Sequence, residues 1–234
     1  MKMWQDKRSN EQEILDLGSA HYSAEEYNNC LKLLERINFF LGGFRASWKA
    51  LKALNKSPAS ILEVGCGGGY LCQHLYRWFP YATVQGIDIS SEAIDHAQKH
   101  LPVDFKKNVS FRIQDDKTIE YPDNSFDVVT TMLVCHHMTD DELVTFLQQS
   151  YRVCSQAVVI NDLHRHILAY ISFSLVALFA FPNRLIWHDG RLSVRRSFHK
   201  RDWLSLLEKA GFQKHQYTLK WNPAFRWTLT IKKT

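Results

Sequence analysis

The chain has 234 residues, of which 45% are hydrophobic and 23% charged, a composition ordinary for a soluble globular protein and long enough to bury a real core. Its five cysteines (Cys30, Cys66, Cys72, Cys135 and Cys154) are odd in number and form no C-x-x-C pair, which argues against a disulfide frame or a zinc site and for buried, reduced thiols. The opening MKMWQDKRSNEQEILDLG is charged throughout and lacks an apolar signal-peptide core, so the expected location is cytoplasmic.

The first predicted element is a helix over residues 23–41. Ser23 and Glu26 have capping-box spacing, and Tyr27, Leu31, Leu34, Ile37, Phe40 and Leu41 recur at helical period. Gly42-Gly43 ends it, and a second helix near 44–54 runs to the Ser57-Pro58 break. Residues 1–57 are therefore expected as an N-terminal helical cap, and 58–234 as the main domain.

From residue 58 short apolar runs alternate with amphipathic segments. Strands are expected near 60–64, 82–87, 109–113, 126–134 and 157–160, with helices near 69–78, 90–100 and 139–152. Thr139 and Glu142 repeat the capping-box spacing. Such alternation predicts an α/β fold, a doubly wound and mostly parallel sheet covered on both faces.

Residues 167–181, ILAYISFSLVALFAF, are apolar all round but shorter than the ~20 residues a spanning helix needs. They are expected as a cap helix, about 163–182, inserted after the fifth strand. A basic loop, a helix near 200–210 closed by Gly211, and two strands at 212–219 and 225–231 follow, the last pair antiparallel. There is no internal repeat.

Charge is unevenly placed. Residues 58–161 carry 7 Lys/Arg against 13 Asp/Glu, whereas 162–234 carry 13 against 4. The basic third is either a solvated face or a contact for an anionic partner such as membrane headgroups or RNA.

The chemistry concentrates around ILEVGCGGGY, residues 61–70. A strand that ends in glycines and enters a helix is a cradle for phosphate or nucleotide. The pattern is G-x-G-x-G, however, and Tyr70 occupies the position where a dinucleotide fingerprint needs its third glycine. Glu63, inside the strand, would repel a pyrophosphate and attract an ammonium group. Asp88 ends the second strand, 21 residues after Gly67, where a carboxylate can accept from both ribose hydroxyls. Asp115 and Asp116 follow the third strand, where an acid can accept from an adenine amine. Together these acids outline a cationic nucleoside, S-adenosylmethionine.

Residues 61–69, 84–90 and 111–134 resemble the class I, seven-stranded S-adenosylmethionine-dependent methyltransferases. The resemblance implies that Glu63, Gly65 and Gly67 belong to the glycine motif, that Asp88 with Ile89 beside it holds the ribose, and that Asp115 and Asp116 meet the adenine. It also implies that the backbone around Met132 and Leu133, in IEYPDNSFDVVTTML, lines the methionine end. Glu63 either orients the glycine loop or meets the methionine amino group.

The methyl acceptor is expected beyond the carboxyl ends of strands four and five. There lie Cys135-His136-His137 and Asn161-Asp162-Leu163-His164-Arg165-His166. His136, His137 and His164 are the candidate general bases, His136 first. No companion cysteine or carboxylate has ligand spacing, so no metal is expected. Aromatic residues of the N-terminal helices and of 167–181 predict a lipophilic small-molecule acceptor. The NDLHR segment, the apolar helix and DGRLSVRRSF are similar to methyltransferases that accompany type III polyketide synthases and modify alkylated phenols, quinones or pyrones.

Three other readings compete. An RNA methyltransferase would suit the basic tail, but CHHM stands where nucleobase-amine methylases carry N/D-P-P-Y/F, so nucleic acid is not the expected partner. A membrane-surface protein without turnover would use the apolar helix with Arg184, Arg191, Arg195 and Arg196 as an interfacial anchor. Even with catalysis, that basic third would give peripheral membrane contact. A nicotinamide dehydrogenase is disfavoured by the missing third glycine and by Glu63. Nothing in the sequence fixes an oligomer.

Overall fold

Strands that alternate on both faces need cover on both faces, and the arrangement follows from that requirement. The computed structural model describes residues 7–114, 118–180 and 183–233. The strands β1 (Ser60–Val64), β2 (Thr83–Asp88), β3 (Val109–Ile113), β4 (Phe126–Met132), β5 (Cys154–Leu163), β6 (Tyr217–Asn222) and β7 (Arg226–Lys232) form one sheet. Their order is β3-β2-β1-β4-β5-β7-β6. β7 runs antiparallel to both β5 and β6, and the other six strands share one direction.

Neighbouring residues in the central strands face opposite layers. Ile61, Val128 and Val159 enter one core with Phe44, Leu71, Leu75 and Ile94. Leu62, Val129 and Val158 enter the other with Leu143, Phe146, Leu147 and Trp203. The first layer is built from α2 (Gly43–Lys52), α3 (Tyr70–Trp78) and α4 (Ser91–Lys99); the second from α5 (Asp140–Val153) and α8 (Lys200–Lys209). Both expected capping boxes form: Ser23 caps α1 (Ala24–Phe40), and Thr139 caps α5. All five cysteines are free and buried.

The carboxyl end of the sheet is roofed by α1, α6 (Ile167–Ala180) and α7 (Arg184–Arg196), which pack on one another. No helix among the described residues is long and apolar enough to cross a membrane. The outer face of α6 leaves Leu168, Ile171, Leu175 and Val176 exposed.

Some expected boundaries move. β4 stops at Met132 because Leu133 turns left-handed, φ 61°. β5 is longer than 157–160, since β7 pairs with it through Leu163 opposite Arg226. β6 begins only at Tyr217, after a turn in which Gln213 N–H donates to Gln216 Oε1 at 2.8 Å.

The expected basic loop is the helix α7. Asp189-Gly190 reads as a turn in sequence, but Gly190 is there for close approach: a Cβ would stand 2.3 Å from Phe173 Cζ of α6. The four arginines of α7 have neighbours within the fold. Arg196 is buried and donates to Asp16, to the Glu11 carbonyl and to the carbonyls of His136 and His137. Arg195 pairs with Glu11 and Arg184 with Glu26, while Arg191 lies over the Trp187 ring. These charges hold the N-terminal segment and the roof in place.

Candidate active site

A cavity of about 360 Å³ lies between the glycine loop and the roof. One wall is the loop itself. Gly65 has φ 70°, and a Cβ there would stand 2.4 Å from Val134 Cγ2, so the turn out of β1 admits no side chain. Gly67 lines the cavity, and its N–H donates to Asp88 Oδ2 at 2.8 Å. The Ser90 N–H donates to Asp88 Oδ1 at 3.0 Å. The Ile89 N–H bears on the carboxylate as well, so of its roughly four acceptor sites one is left for a ligand. Burial raises the Asp88 carboxyl, against the pull of these backbone hydrogen bonds. Beside it Ile89 is 67% exposed.

Glu63 points to the α3 layer beneath the loop and is 2% exposed. Burial pushes its carboxyl up to about 8, although hydrogen bonds with Cys72 pull it down. Its Oε2 has no partner among the described residues. A buried, unpartnered carboxylate oxygen on a cavity wall suits a cationic donor. Met132 and Leu133 continue the wall. The Leu133 N–H is fixed by the Asn161 carbonyl at 2.9 Å, which holds its left-handed backbone. Asp115 and Asp116 lie outside the described residues.

The opposite wall carries the histidines. A short turn, Cys135–His137, follows β4 and stands beside the end of β5. There His136 Nδ1 meets Asp162 Oδ1 at 2.7 Å, with the residues 2% and 0% exposed. Asp162 also accepts from its neighbours' N–H groups, His136 at 3.2 Å and Leu163 at 2.7 Å. Desolvation would raise Asp162, but His136 and these bonds outweigh it and hold the carboxyl below the usual range. Asp162 is thus the acceptor and His136 Nδ1 the donor, so that in the neutral ring the lone pair falls on Nε2. That Nε2 has no hydrogen-bond partner among the described residues.

His137 is held in the same way, its Nδ1 2.7 Å from Asp16 Oδ1. Desolvation opposes it, but His137 and Arg196 take Asp16 down to about 2. Between the two rings sits Glu13, an acid that sequence reasoning missed. Its carboxylate oxygens are 3.7 Å from His136 Nε2 and 3.9 Å from His137 Nε2. Burial pushes Glu13 up to about 7, against the charge of His137. Ser193 of α7 donates to it at 3.0 Å. The segment is pinned where Ile14 and Leu15 N–H groups donate to Asp189 at 2.9 and 3.0 Å.

Glu13, His136 and His137 bring one ligand atom each within 4.8 Å of one another, a spacing a divalent cation can bridge. The fold thus supplies the companion carboxylate that sequence spacing lacks. His164 is not drawn into this group. Its Nδ1 accepts from Trp221 Nε1 at 3.3 Å, and its ring packs on His166, His199 and Trp227. Burial, with help from the charges of His166, His199 and Arg165, lowers it to about 4, which makes it a weak base.

Comparison with known proteins bears on the same region. A family model described as a methyltransferase domain matches residues 61–157. Ajmaline N-methyltransferase of Rauvolfia serpentina is 31% identical over 140 residues, 53% of this chain and 47% of the relative. The ubiquinone biosynthesis O-methyltransferase of Actinobacillus pleuropneumoniae serotype 5b is 31% identical over 105 residues, 43% of this chain and 44% of the relative. The chain therefore spans about half the length of these relatives. Among solved structures, human N-acetylserotonin methyltransferase in complex with SAM aligns with 92% of this chain and 58% of its own (TM-score 0.67, 18% identity). A SAM-dependent methyltransferase from Aquifex aeolicus aligns with 91% of this chain and 100% of its own (TM-score 0.63, 16% identity). At such identities the likeness concerns the fold.

Proposed function

Residues 61–157 form a class I S-adenosylmethionine-dependent methyltransferase domain, and from that premise we propose that the protein methylates a lipophilic small molecule on an acidic oxygen such as a phenol or quinol. The glycine wall fits the donor. Glu63 Oε2 suits an ammonium group, Asp88 keeps acceptor capacity for a ribose hydroxyl, and exposed Ile89 offers an apolar face for a ring. When bound, S-adenosylmethionine supplies a methyl group already activated on a sulfonium. What is left to the chain is alignment, exclusion of water and removal of one proton.

The observation that carries the reading is His136. Its Nδ1 is held by buried Asp162, its Nε2 makes no hydrogen bond among the described residues and lies 3.7 Å from Glu13, and the residue lines the cavity that the glycine loop also lines. Nε2 takes the acceptor's hydroxyl proton, Asp162 stabilises the resulting imidazolium, and Glu13 can relay the proton. Leu34, Phe173 and Val176 supply the apolar remainder of the wall. The curated relatives' names, an N-methyltransferase and an O-methyltransferase, support small-molecule transfer without fixing the atom.

The test is methylated-product formation from a panel of alkylphenols and quinols. His136→Gln is expected to lower kcat by about 10²–10⁴ with cofactor affinity unchanged. EDTA is expected to leave turnover intact. Loss in EDTA that zinc restores would instead transfer the acidifying role to a cation at Glu13, His136 and His137.

Lipid delivery of the acceptor is part of the proposal. It is favoured by Leu168, Ile171 and Leu175, exposed on α6, the helix whose Phe173 and Val176 line the cavity.

A further inference from the structure

Arg226 opens β7 deep under the roof and is 2% exposed. Nothing in the methyl-transfer scheme uses it. Its Nη2 donates to Asn38 Oδ1 of α1 at 2.8 Å, while Nε and Nη1 donate to nothing among the described residues. The nearby acid that supports its charge, Asp162, is already occupied by His136 and by two backbone N–H groups. Burial lowers the guanidinium to about 10, which leaves it cationic at neutral pH.

A buried cation with unused donors is unfavourable unless something completes it. The surroundings hold this one firmly in place. A Cβ on Gly43 would lie 3.1 Å from Arg226 Cζ, so α2 must begin with a glycine for the side chain to fit. Ala224 and Phe225, just before it, take left-handed backbone, φ 59° and 55°. Arg226 lines the same cavity as His136 and the glycine loop. Its missing partner can therefore arrive through that cavity.

We propose that Arg226, with Asn38 orienting it, is a subsite for a carboxylate on the methyl acceptor. The acceptor is then an amphiphilic acid: an acidic hydroxyl for His136, a carboxylate for Arg226, and an apolar body against Leu34, Phe173 and Val176. A planar guanidinium takes a carboxylate by charge-assisted hydrogen bonds, which a neutral ester cannot match. The assignment rests on the reading of this cavity as the acceptor site.

The test is calorimetric titration of the full chain, with S-adenosylhomocysteine present, using 4-hexylbenzoate and its methyl ester. The acid is expected to bind at least tenfold more tightly to wild type. Arg226→Met is expected to bring acid and ester within twofold of each other. Its melting temperature is expected to be equal or higher, because an incompletely partnered buried charge has been removed. Equal affinity of wild type for acid and ester overturns the carboxylate subsite and leaves the acceptor cavity standing. Binding of neither probe overturns the cavity reading and the subsite with it. A variant that melts lower while keeping the acid preference assigns Arg226 a structural role and overturns the proposal. The wild-type comparison decides by itself if Arg226→Met does not fold.

Discussion

Glu63 is protonated at neutral pH by burial, whereas a ligand carrying an ammonium group needs it ionised. Binding of S-adenosylhomocysteine is therefore expected to release about one proton at pH 7 and almost none above pH 9. Calorimetry in two buffers of different ionisation enthalpy reads this directly, and Glu63→Gln should release none. The same residue sets a stability signature. Its folded value, about 8, lies above its ordinary 4.5, so the native state holds an extra proton between those values. Its contribution is present at low pH and is lost as pH rises through about 8, on the order of a few kcal/mol. The unfolding curves of wild type and Glu63→Gln should diverge across that window, with the variant the flatter. Parallel curves would mean that Glu63 carries its charge in the fold.

At the scale of elements, the N-terminal segment works as a strap whose purpose is to seat Glu13 between His136 and His137. Asp189 of α7 holds it through the Ile14 and Leu15 N–H groups. Asp189→Asn is expected to weaken these charge-assisted bonds by roughly 1–3 kcal/mol. Hydrogen exchange should then rise in residues 8–17, and kcat should fall while cofactor affinity holds. Unchanged exchange there would place the anchor elsewhere, on Arg196, which holds the Glu11 carbonyl and Asp16. None of this was legible in the sequence. Ser193 is 180 residues from Glu13, and Asp16 is 121 from His137, so no local spacing joins them. The helix that carries Asp189 was hidden by Gly190, which serves the packing of Phe173. The glycine loop, Asp88 and both capping boxes were legible because their partners are local or fixed by strand order. His164 was legible only as a residue type; the aromatic setting that depresses its basicity comes from β6, β7 and the turn before α8.

For the whole molecule, the two-face alternation of β1, β4 and β5 carried enough information to yield the sheet, since each strand had to bury neighbours on opposite sides. The excess of Lys and Arg in the last third left a solvated face and an anionic partner both open, and three of the four α7 arginines are ion-paired to acids of the first 26 residues. Membrane contact is accordingly expected to be apolar. The protein should co-sediment with neutral phosphatidylcholine vesicles with little salt dependence, and Leu168→Asp with Ile171→Asp should abolish it. Binding confined to anionic vesicles and lost in high salt would restore the basic-anchor account.

The measurement that tests the central claim most directly is calorimetric titration of S-adenosylhomocysteine into wild type and Asp88→Asn. Asp88 ends β2 beside the glycine loop, its oxygens held by Gly67 and Ser90 with acceptor capacity to spare. The account predicts micromolar binding to wild type and a loss of at least tenfold in the variant. No binding to folded wild type, or equal binding to both proteins, would contradict it.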